Sequence, residues 1–310
     1  MPFLQLIRYQ NLIMLALMQL LFRYGFLKLQ NIPLALNDWQ YGLLILSTTL
    51  IAAAGYIINN IIDQETDATN KPHKQIVGSK ITETNAYTYY ITLNSIGVAI
   101  GFYLANSIGK PNFAAIFIII AASLYLYATS FKQMTLIGNL IVALLLAVSV
   151  LIIGIFDLYP VITHENQKVM GSLFSILLDY AFFAFIINLI REIVKDLEDI
   201  NGDYNQGMKT LPIILGIKRT TTMVFALSFI PIVALVFYIK NYLLAYNLWV
   251  TLFYFSVFIL APLLLFAITI ITAQTQKEFH NLSQLLKGIL FFGIFSILIL
   301  TLNILYNATI

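Results

Sequence analysis

The sequence NNIIDQETD at residues 59–67 ends an apolar run that begins near residue 39. If the helix of that run continues through these residues, Asn59, Asp63 and Asp67 lie four apart and share one face. Like charges at this spacing repel each other, and a bound cation would relieve the repulsion. Carboxylate and amide oxygens suit a hard ion such as Mg2+ better than zinc. A solvated, charged helix end is the alternative explanation.

A second acidic stretch, REIVKDLEDINGD, occupies residues 191–203 at the end of another apolar run. Its Asp196, Asp199 and Asp203 follow at i, i+3 and i+7, which is again one face of a helix. The two stretches together hold eight of the chain's 14 acidic residues. This repetition favours a pair of functional motifs over two solvated helix ends. We call residues 59–67 the first acidic motif and residues 191–203 the second acidic motif.

The composition places the chain in a membrane. Of its 310 residues, 60% are hydrophobic and 10% are charged, whereas about 25% of a soluble domain is charged. The chain has no Cys, which excludes disulfides, thiolate nucleophiles and Cys-ligated metals. The net charge of +3 comes without a cluster of Lys and Arg on a soluble surface, so we expect no nucleic-acid partner.

Apolar runs of about 20 residues are long enough to cross a bilayer. They predict nine spanning helices, at residues 10–27, 39–62, 86–107, 112–130, 136–156, 171–194, 219–240, 245–272 and 285–307. The connections are too short to hold another domain, so we expect an all-α bundle that forms one integral-membrane domain over residues 1–310. The two motifs, each at the end of an even-numbered helix, suggest two half-bundles whose acidic faces meet across a central cavity.

The loop charges predict the orientation of this bundle. With nine spans, both acidic motifs face the side of the membrane on which the N-terminus lies. That side carries 12 of the 17 Lys and Arg residues, so the positive-inside rule makes it cytoplasmic. We therefore expect a site in the cell membrane that opens to the cytoplasm. Arg23 lies near the outer end of the first span, and we expect it to extend toward the interface.

Two carboxylate motifs with Lys close behind each are suited to a metal-bound diphosphate. Metal ions bridge the diphosphate to the carboxylates, and Lys or Arg donates to the remaining oxygens. A membrane location adds a lipid tail to that substrate, which an allylic prenyl diphosphate provides. A cation transporter is the alternative from another class. The acids argue against it, because they cluster at one face while a transport path needs polar sites near the midplane.

The motifs resemble those of the UbiA-type family of intramembrane prenyltransferases. The family's Asn followed by two Asp at four-residue steps matches Asn59, Asp63 and Asp67. Its second Asp-x-x-x-Asp pattern matches Asp199 and Asp203, with Asp196 as a further acid. One departure is Asn60, where many members have Asp, and this removes a charge from the first acidic motif. The resemblance covers essentially the whole chain and implies transfer of a prenyl group from its diphosphate.

The resemblance also implies roles for individual residues. The expected Mg2+ ligands are Asn59, Asp63, Asp67, Asp196, Asp199 and Asp203, and the catalytic carboxylates among them are Asp63, Asp67, Asp199 and Asp203. The basic stretch after the first motif and a Tyr and Lys pair after the fourth span imply a diphosphate-binding set of Lys71, Lys74, Tyr127, Lys132, Arg191 and Lys195. The pair Arg8-x-x-Asn11 matches another family feature, and we expect Asn11 in the substrate pocket.

Within the family, residues 191–203 and the following 207–213 are most similar to the branch that attaches a geranylgeranyl group to geranylgeranylglyceryl phosphate. The expected partners are thus a prenyl diphosphate, a lipophilic acceptor and membrane lipid. Other branches prenylate aromatic acids or quinone precursors, and the motifs also permit that chemistry. Arg191 and Lys195 could hold the phosphate of the acceptor. They could equally serve as topology charges or as partners of Glu192 and Glu198.

Overall fold

The computed structural model describes residues 1–64 and 75–308, and the side chains up to residue 307. The described residues contain helices and no strand, which confirms the predicted all-α class. The helices are α1 (Pro2–Leu6), α2 (Tyr9–Phe22), α3 (Asp38–Ile62), α4 (Glu83–Ser107), α5 (Ala114–Thr129), α6 (Ile137–Asp157), α7 (Gln167–Glu198), α8 (Ile200–Asn205), α9 (Leu211–Leu215), α10 (Ile217–Tyr238), α11 (Trp249–Phe255), α12 (Ala261–Ile270) and α13 (Gln276–Ala308).

Eight helical segments in the described part of the chain are long and apolar enough to cross a membrane. They correspond to eight of the nine predicted spans, and some include π-helical turns that extend an α-helix, as Arg23–Leu27 extends α2. The remaining prediction, residues 86–107, falls on α4, which has 25 residues and is long enough to span. Several Thr, Asn and Ser residues make α4 more polar than the other eight segments. The protein is an integral membrane protein.

The helices divide into two compact units. The first unit comprises Met1–Gln19, Pro33–Lys132 and Val148–Leu177, and the second comprises Leu20–Ile32, Gln133–Ala147 and Leu178–Ile310. Each unit carries one of the acidic motifs. The single membrane domain over residues 1–310 stays a prediction.

In the first unit, α3 packs along α4, and α5 packs against both. The helices approach closely at glycines: a Cβ on Gly101 of α4 would lie 2.3 Å from the Phe117 ring of α5. Nearby, the Ser47 hydroxyl of α3 donates to the carbonyl of Gly97 at 2.6 Å. This close packing fixes the position of α3, which ends in the first acidic motif.

In the second unit, α13 packs against α11, α12 and the turn Arg23–Leu27. Arg23 is only 1% exposed and lies over the ring of Tyr24 at 5.8 Å. The expectation that Arg23 extends to the interface was therefore wrong. Its guanidinium is accommodated inside the helix packing, where an aromatic face stabilises the charge.

Candidate active site

The end of α3 is anchored by apolar packing on one face. Ile57, Ile58 and Ile61 are at most 4% exposed and pack with Leu6, Val77, Ala86 and Ala128 of the same unit. The start of α3 is fixed as well, because Asn37 and Gln40 form a reciprocal capping box. With both ends held, the polar residues of the first acidic motif have a defined direction. α3 ends at Ile62, and the Asp63 N–H still donates to the Asn59 carbonyl at 2.9 Å.

Within the first acidic motif, Asp63 is the centre of a small polar cluster. Its Oδ2 accepts the amide of Asn59 at 2.7 Å and also accepts the ammonium of Lys132. The Asn59 Oδ1 is buried and has no hydrogen-bond partner among the described residues. A buried acceptor left in this state costs about 1–3 kcal/mol. An orphaned amide oxygen beside a carboxylate suits a hard cation, since Mg2+ takes oxygen ligands.

The N-terminal pair meets α3 one turn before the motif. Asn11 donates from Nδ2 to the hydroxyl of Tyr56 at 3.1 Å, and the Arg8 guanidinium lies 5.1 Å from the Tyr56 ring centroid. The Asn60 amide, which replaces the family's usual Asp, donates to the Tyr56 carbonyl at 2.8 Å. Asn11 is thus tied to the helix that carries the first acidic motif, and Asn60 is used in a local backbone contact.

Four other predicted site residues belong to the same part of the sequence: Asp67, Lys71, Lys74 and Tyr127. Tyr127 is half-buried on α5, five residues before Lys132. Asp67, Lys71 and Lys74 lie outside the described residues, so their predicted roles stay predictions.

The second acidic motif is also anchored by a buried apolar face, here on α7. Ile190, Ile193, Val194 and Leu197 are at most 1% exposed and form one apolar face in the core of the second unit. The predicted helical face is interrupted at Asp199, because α7 ends at Glu198 and α8 begins at Ile200. The turn is nevertheless preserved: the N–H of Asp203 donates to the Asp199 carbonyl at 3.0 Å.

Glu192 organises the two cations of this motif. A single oxygen, Oε1, accepts Arg191 Nη1 at 3.1 Å and Lys195 Nζ at 2.7 Å. The Arg191 Nε is buried and has no hydrogen-bond partner among the described residues. One carboxylate thus holds two cations, and the Arg191 Nε–H is still available to donate. Such a group can bind a phosphate.

Asp196 is bound by a residue from another helix. The Asn139 amide, in the first turn of α6, donates to Asp196 Oδ2 at 2.9 Å. Asp203 and Glu192 repel the Asp196 carboxylate electrostatically, and Lys195 attracts it. A cation among these like charges would remove the repulsion.

Within residues 1–64 and 75–308, no group of three or more His, Cys, Asp or Glu side chains is close enough to hold a metal ion by itself. An ion bound there would complete its coordination with the Asn59 amide oxygen, water or phosphate oxygens. Mg2+ binds in this way, through one or two carboxylates plus water and substrate phosphate. The chemistry of both motifs therefore fits a metal that arrives with a phosphorylated substrate.

Residues 24–286 match the model of the UbiA prenyltransferase family. The chain belongs to the UbiA prenyltransferase family. It is 30% identical to a digeranylgeranylglyceryl phosphate synthase of Thermococcus gammatolerans, over 84% of this chain and 85% of that one. It is 31% identical to the synthase of the same name from Korarchaeum cryptofilum, over 84% and 86% of the two chains.

Solved structures of UbiA proteins share the fold. One solved structure superposes with a TM-score of 0.61 at 24% identity, covering 96% of each chain. It is described as giving structural and mechanistic insights into the biosynthesis of digeranylgeranylglyceryl phosphate synthase in membranes. A UbiA homologue from Archaeoglobus fulgidus bound to DMAPP and Mg2+ superposes with a TM-score of 0.60 at 16% identity, covering 96% of this chain and 99% of that one.

Two residues of this UbiA protein, Tyr56 and Asn139, were not predicted from the sequence, because neither carries a charge. Glu192 was one of the two acids considered as partners of Arg191 and Lys195, and the structure confirms that pairing. Asn139 had a weak signal, because it is an amide at the start of an otherwise apolar run at residues 136–156. Its partner Asp196 is 57 residues away, and a helical spacing rule does not reach that far.

Proposed function

We propose that the protein transfers a geranylgeranyl group from geranylgeranyl diphosphate to geranylgeranylglyceryl phosphate, and that the transfer depends on Mg2+. The observation that carries this proposal is the pairing of cations with carboxylates in both acidic motifs: Lys132 on Asp63, and Arg191 and Lys195 on Glu192. A metal-bound diphosphate requires both kinds of group. The names of the relatives supply the acceptor.

The donor would be held by the residues that surround these pairs. Asn59, Asp63, Asp199 and Asp203, with Asp196 and Asp67, are the proposed oxygen ligands for Mg2+. Bound Mg2+ would neutralise charge on the diphosphate and so improve it as a leaving group. Lys132 and Tyr127, with Lys71 and Lys74, would donate to phosphate oxygens. Asn11 would line the pocket near the first acidic motif, through its bond to Tyr56.

The reaction replaces one carbon–oxygen bond with another. The bond between C1 of the geranylgeranyl chain and the diphosphate oxygen breaks, and the diphosphate keeps the electron pair. The glyceryl hydroxyl then attacks the allylic cation at C1, forms an ether and gives its proton to the released diphosphate. An alcohol is a weak nucleophile, so the site must hold it close to the developing cation. Arg191 and Lys195 are suited to this task, because they can anchor the acceptor's phosphate.

The proposal includes a location. Acceptor and product are membrane lipids, and we propose that the protein lies in the cell membrane with both acidic motifs on the cytoplasmic side. Membership of a prenyltransferase family favours the enzyme over the transporter that the sequence left as an alternative.

The test is an acceptor competition with the purified protein in detergent or nanodiscs. Mg2+ and prenyl diphosphates of several lengths are supplied with geranylgeranylglyceryl phosphate, 4-hydroxybenzoate and a naphthoate, and products are measured by mass spectrometry. We expect the diether phosphate as the main product, with none when EDTA is present. Faster prenylation of an aromatic acid would contradict the acceptor and leave the prenyl transfer in place. Product formation that EDTA does not affect would contradict the metal dependence.

A further inference from the structure

The segment Gln133–Asn139 contacts the second acidic motif and the loop that follows it. At its start, the Lys209 N–H donates to the Gln133 carbonyl at 3.1 Å, and the Thr135 hydroxyl donates to the Lys209 carbonyl at 2.6 Å. At its end, the Asn139 amide donates to Asp196 at 2.9 Å. Asp199 and Asp203 lie in sequence between these two anchoring points. We call residues 133–139 the brace.

The contact at Asp196 differs in kind from the one at Asp63. Lys132 brings a positive charge to Asp63, whereas Asn139 brings a neutral amide to Asp196. A neutral donor fixes the position of a carboxylate without cancelling its charge. The bond occupies one of the two oxygens of Asp196, Oδ2, and does not involve Oδ1.

Because Asn139 is buried, its hydrogen bond to Asp196 is not easily replaced by another donor. Asn139 is 9% exposed, and its apolar neighbours in α6 offer the Asp196 carboxylate no other donor. Without the amide, Asp196 Oδ2 loses the hydrogen bond that sets its orientation, while Glu192 and Asp203 still repel the carboxylate and Lys195 attracts it. We expect the carboxylate to turn toward Lys195 and away from the two acids, because opposite charges attract and like charges repel.

We propose that Asn139 is a positioning residue that orients Asp196 for metal binding and, with the rest of the brace, sets the geometry of the second acidic motif. This inference rests on the proposed function, because it takes Asp196 as an Mg2+ ligand. Partners of this kind fix the orientation of the ligand side chain, and their loss reduces metal affinity by about 10–100-fold.

The experiment measures Mn2+ binding to the full-length protein at a fixed concentration of inorganic diphosphate, by equilibrium dialysis, together with the melting temperature. Diphosphate is present because the site would complete the coordination of the metal with phosphate oxygens. The variants are Asn139→Ala and the milder Asn139→Ser. The matched control is Asn303→Ala. Asn303 is likewise buried in the second unit, at 7% exposed, and its Oδ1 accepts the N–H and hydroxyl of Thr251, both at 3.1 Å.

We expect Asn139→Ala and Asn139→Ser to weaken Mn2+ binding by about 10-fold or more, while Asn303→Ala lowers the melting temperature and changes the Mn2+ Kd less than twofold. In turnover, the Asn139 variants should need more Mg2+ for half-maximal rate at an unchanged KM for the acceptor. If both Asn139 variants fold and bind Mn2+ like the parent protein, the inference is overturned. If Asn139→Ala does not fold, the result for Asn139→Ser decides.

Asp199→Asn separates this inference from the proposed function. Weaker Mn2+ binding by Asp199→Asn, with normal binding by the Asn139 variants, would overturn the role of Asn139 and leave the metal site in place. If the parent protein and Asp199→Asn bind Mn2+ equally, or neither binds it, the proposed metal site fails, and the inference fails with it.

Discussion

One oxygen of Asp63, Oδ2, accepts both the ammonium of Lys132 and the amide of Asn59. Lys132 is 69 residues away from Asp63 and only a quarter exposed, while the Asp63 side chain is 12% exposed. A charge pair with this little solvent is held in place by its surroundings more firmly than a surface pair. Lys132 is therefore fixed beside the carboxylate that we propose as a metal ligand, in a position to donate to a phosphate on that metal.

Lys132→Gln should impair use of the donor. Hydrogen bonds to charged groups contribute about 1.5–3 kcal/mol, so we expect kcat/KM for the prenyl diphosphate to fall by roughly 10- to 100-fold. Steady-state kinetics with varied donor at saturating acceptor measure this. Lys132→Arg keeps the charge and serves as the control, with a smaller loss. An unchanged donor KM and kcat in Lys132→Gln would rule out contact between Lys132 and the diphosphate.

The carboxylates of the motifs should matter more for turnover than for folding. In Asp63→Asn, Asp67→Asn, Asp199→Asn and Asp203→Asn, we expect turnover to fall by orders of magnitude, because a neutral amide is a poorer ligand for Mg2+. The melting temperature without metal should change little in Asp199→Asn and Asp203→Asn, since apolar packing stabilises the helices. Asp63→Asn should lower it, because Asp63 is buried and loses its ion pair with Lys132. Near-normal turnover of all four variants at the usual Mg2+ concentration would refute the metal assignment.

For Asp157→Asn we expect a loss of stability without a change in the Mg2+ requirement. Asp157 is fully buried, and its Oδ1 accepts the N–H of Leu36 at 3.1 Å. Substituting it should lower the melting temperature, because hydrogen bonds to charged groups are the stronger ones. The Mg2+ concentration for half-maximal rate should stay the same, since Asp157 belongs to neither motif. Metal titrations of both sets of variants thus separate loss of the site from loss of stability.

The sequence predicted what depends on local spacing. Apolar run length placed the membrane helices, and four-residue steps placed Asn59 and Asp63 on one side of the end of α3. What it missed depends on contacts between distant segments, such as Asn139 with Asp196. The burial of Arg23 was missed for the same reason, because a position near a span end says nothing about which helices surround it. The break at Asp199 was also invisible, since the apolar pattern continues through Ile200.

Lys195→Gln should distinguish the two phosphates. If Lys195 anchors the acceptor, the variant raises the KM for geranylgeranylglyceryl phosphate and leaves the KM for the prenyl diphosphate nearly unchanged. The expected rise is about 10-fold, the effect of losing one charge-assisted hydrogen bond of about 1.5 kcal/mol. Kinetics with each substrate varied in turn measure both constants. Equal effects on both would place Lys195 at the donor.

Close packing at Gly101 predicts a stability effect outside the site. A Cβ at this position would lie 2.3 Å from the Phe117 ring, so Gly101→Ala forces the ring or α4 to move. Overpacking of this kind costs about 1–3 kcal/mol. Gly171→Ala is the control, because no atom lies within 4 Å of a Cβ there, and Ala favours a helix by about 1 kcal/mol over Gly. In detergent, the melting temperature of Gly101→Ala should therefore be lower than those of Gly171→Ala and the parent protein. Equal melting temperatures of the two variants would contradict the close packing at Gly101.

α4 is more polar than the other predicted spans, so whether it crosses the membrane has to be measured. The answer decides whether the two acidic motifs lie on the same side. Four predicted spans separate the first acidic motif from the second, and α4 is the least apolar of them. If α4 crosses the membrane, both motifs lie on one side; if it does not, they lie on opposite sides. The chain has no Cys, so a single Cys at exposed Ser79 or Tyr204 reports the side of each motif, and one at exposed Glu165 reports the other face.

We expect an impermeant maleimide to label Ser79→Cys and Tyr204→Cys only from the cytoplasmic side of sealed vesicles, and Glu165→Cys only from the outer side. The physical reason is that 12 of the 17 Lys and Arg residues fall on the side of the two motifs when all nine segments span, and positive loops remain in the cytoplasm. Labelling of Ser79→Cys and Tyr204→Cys from opposite sides would show that α4 does not span. In that case a single diphosphate could not reach both acidic motifs, and the proposed function would have to be abandoned.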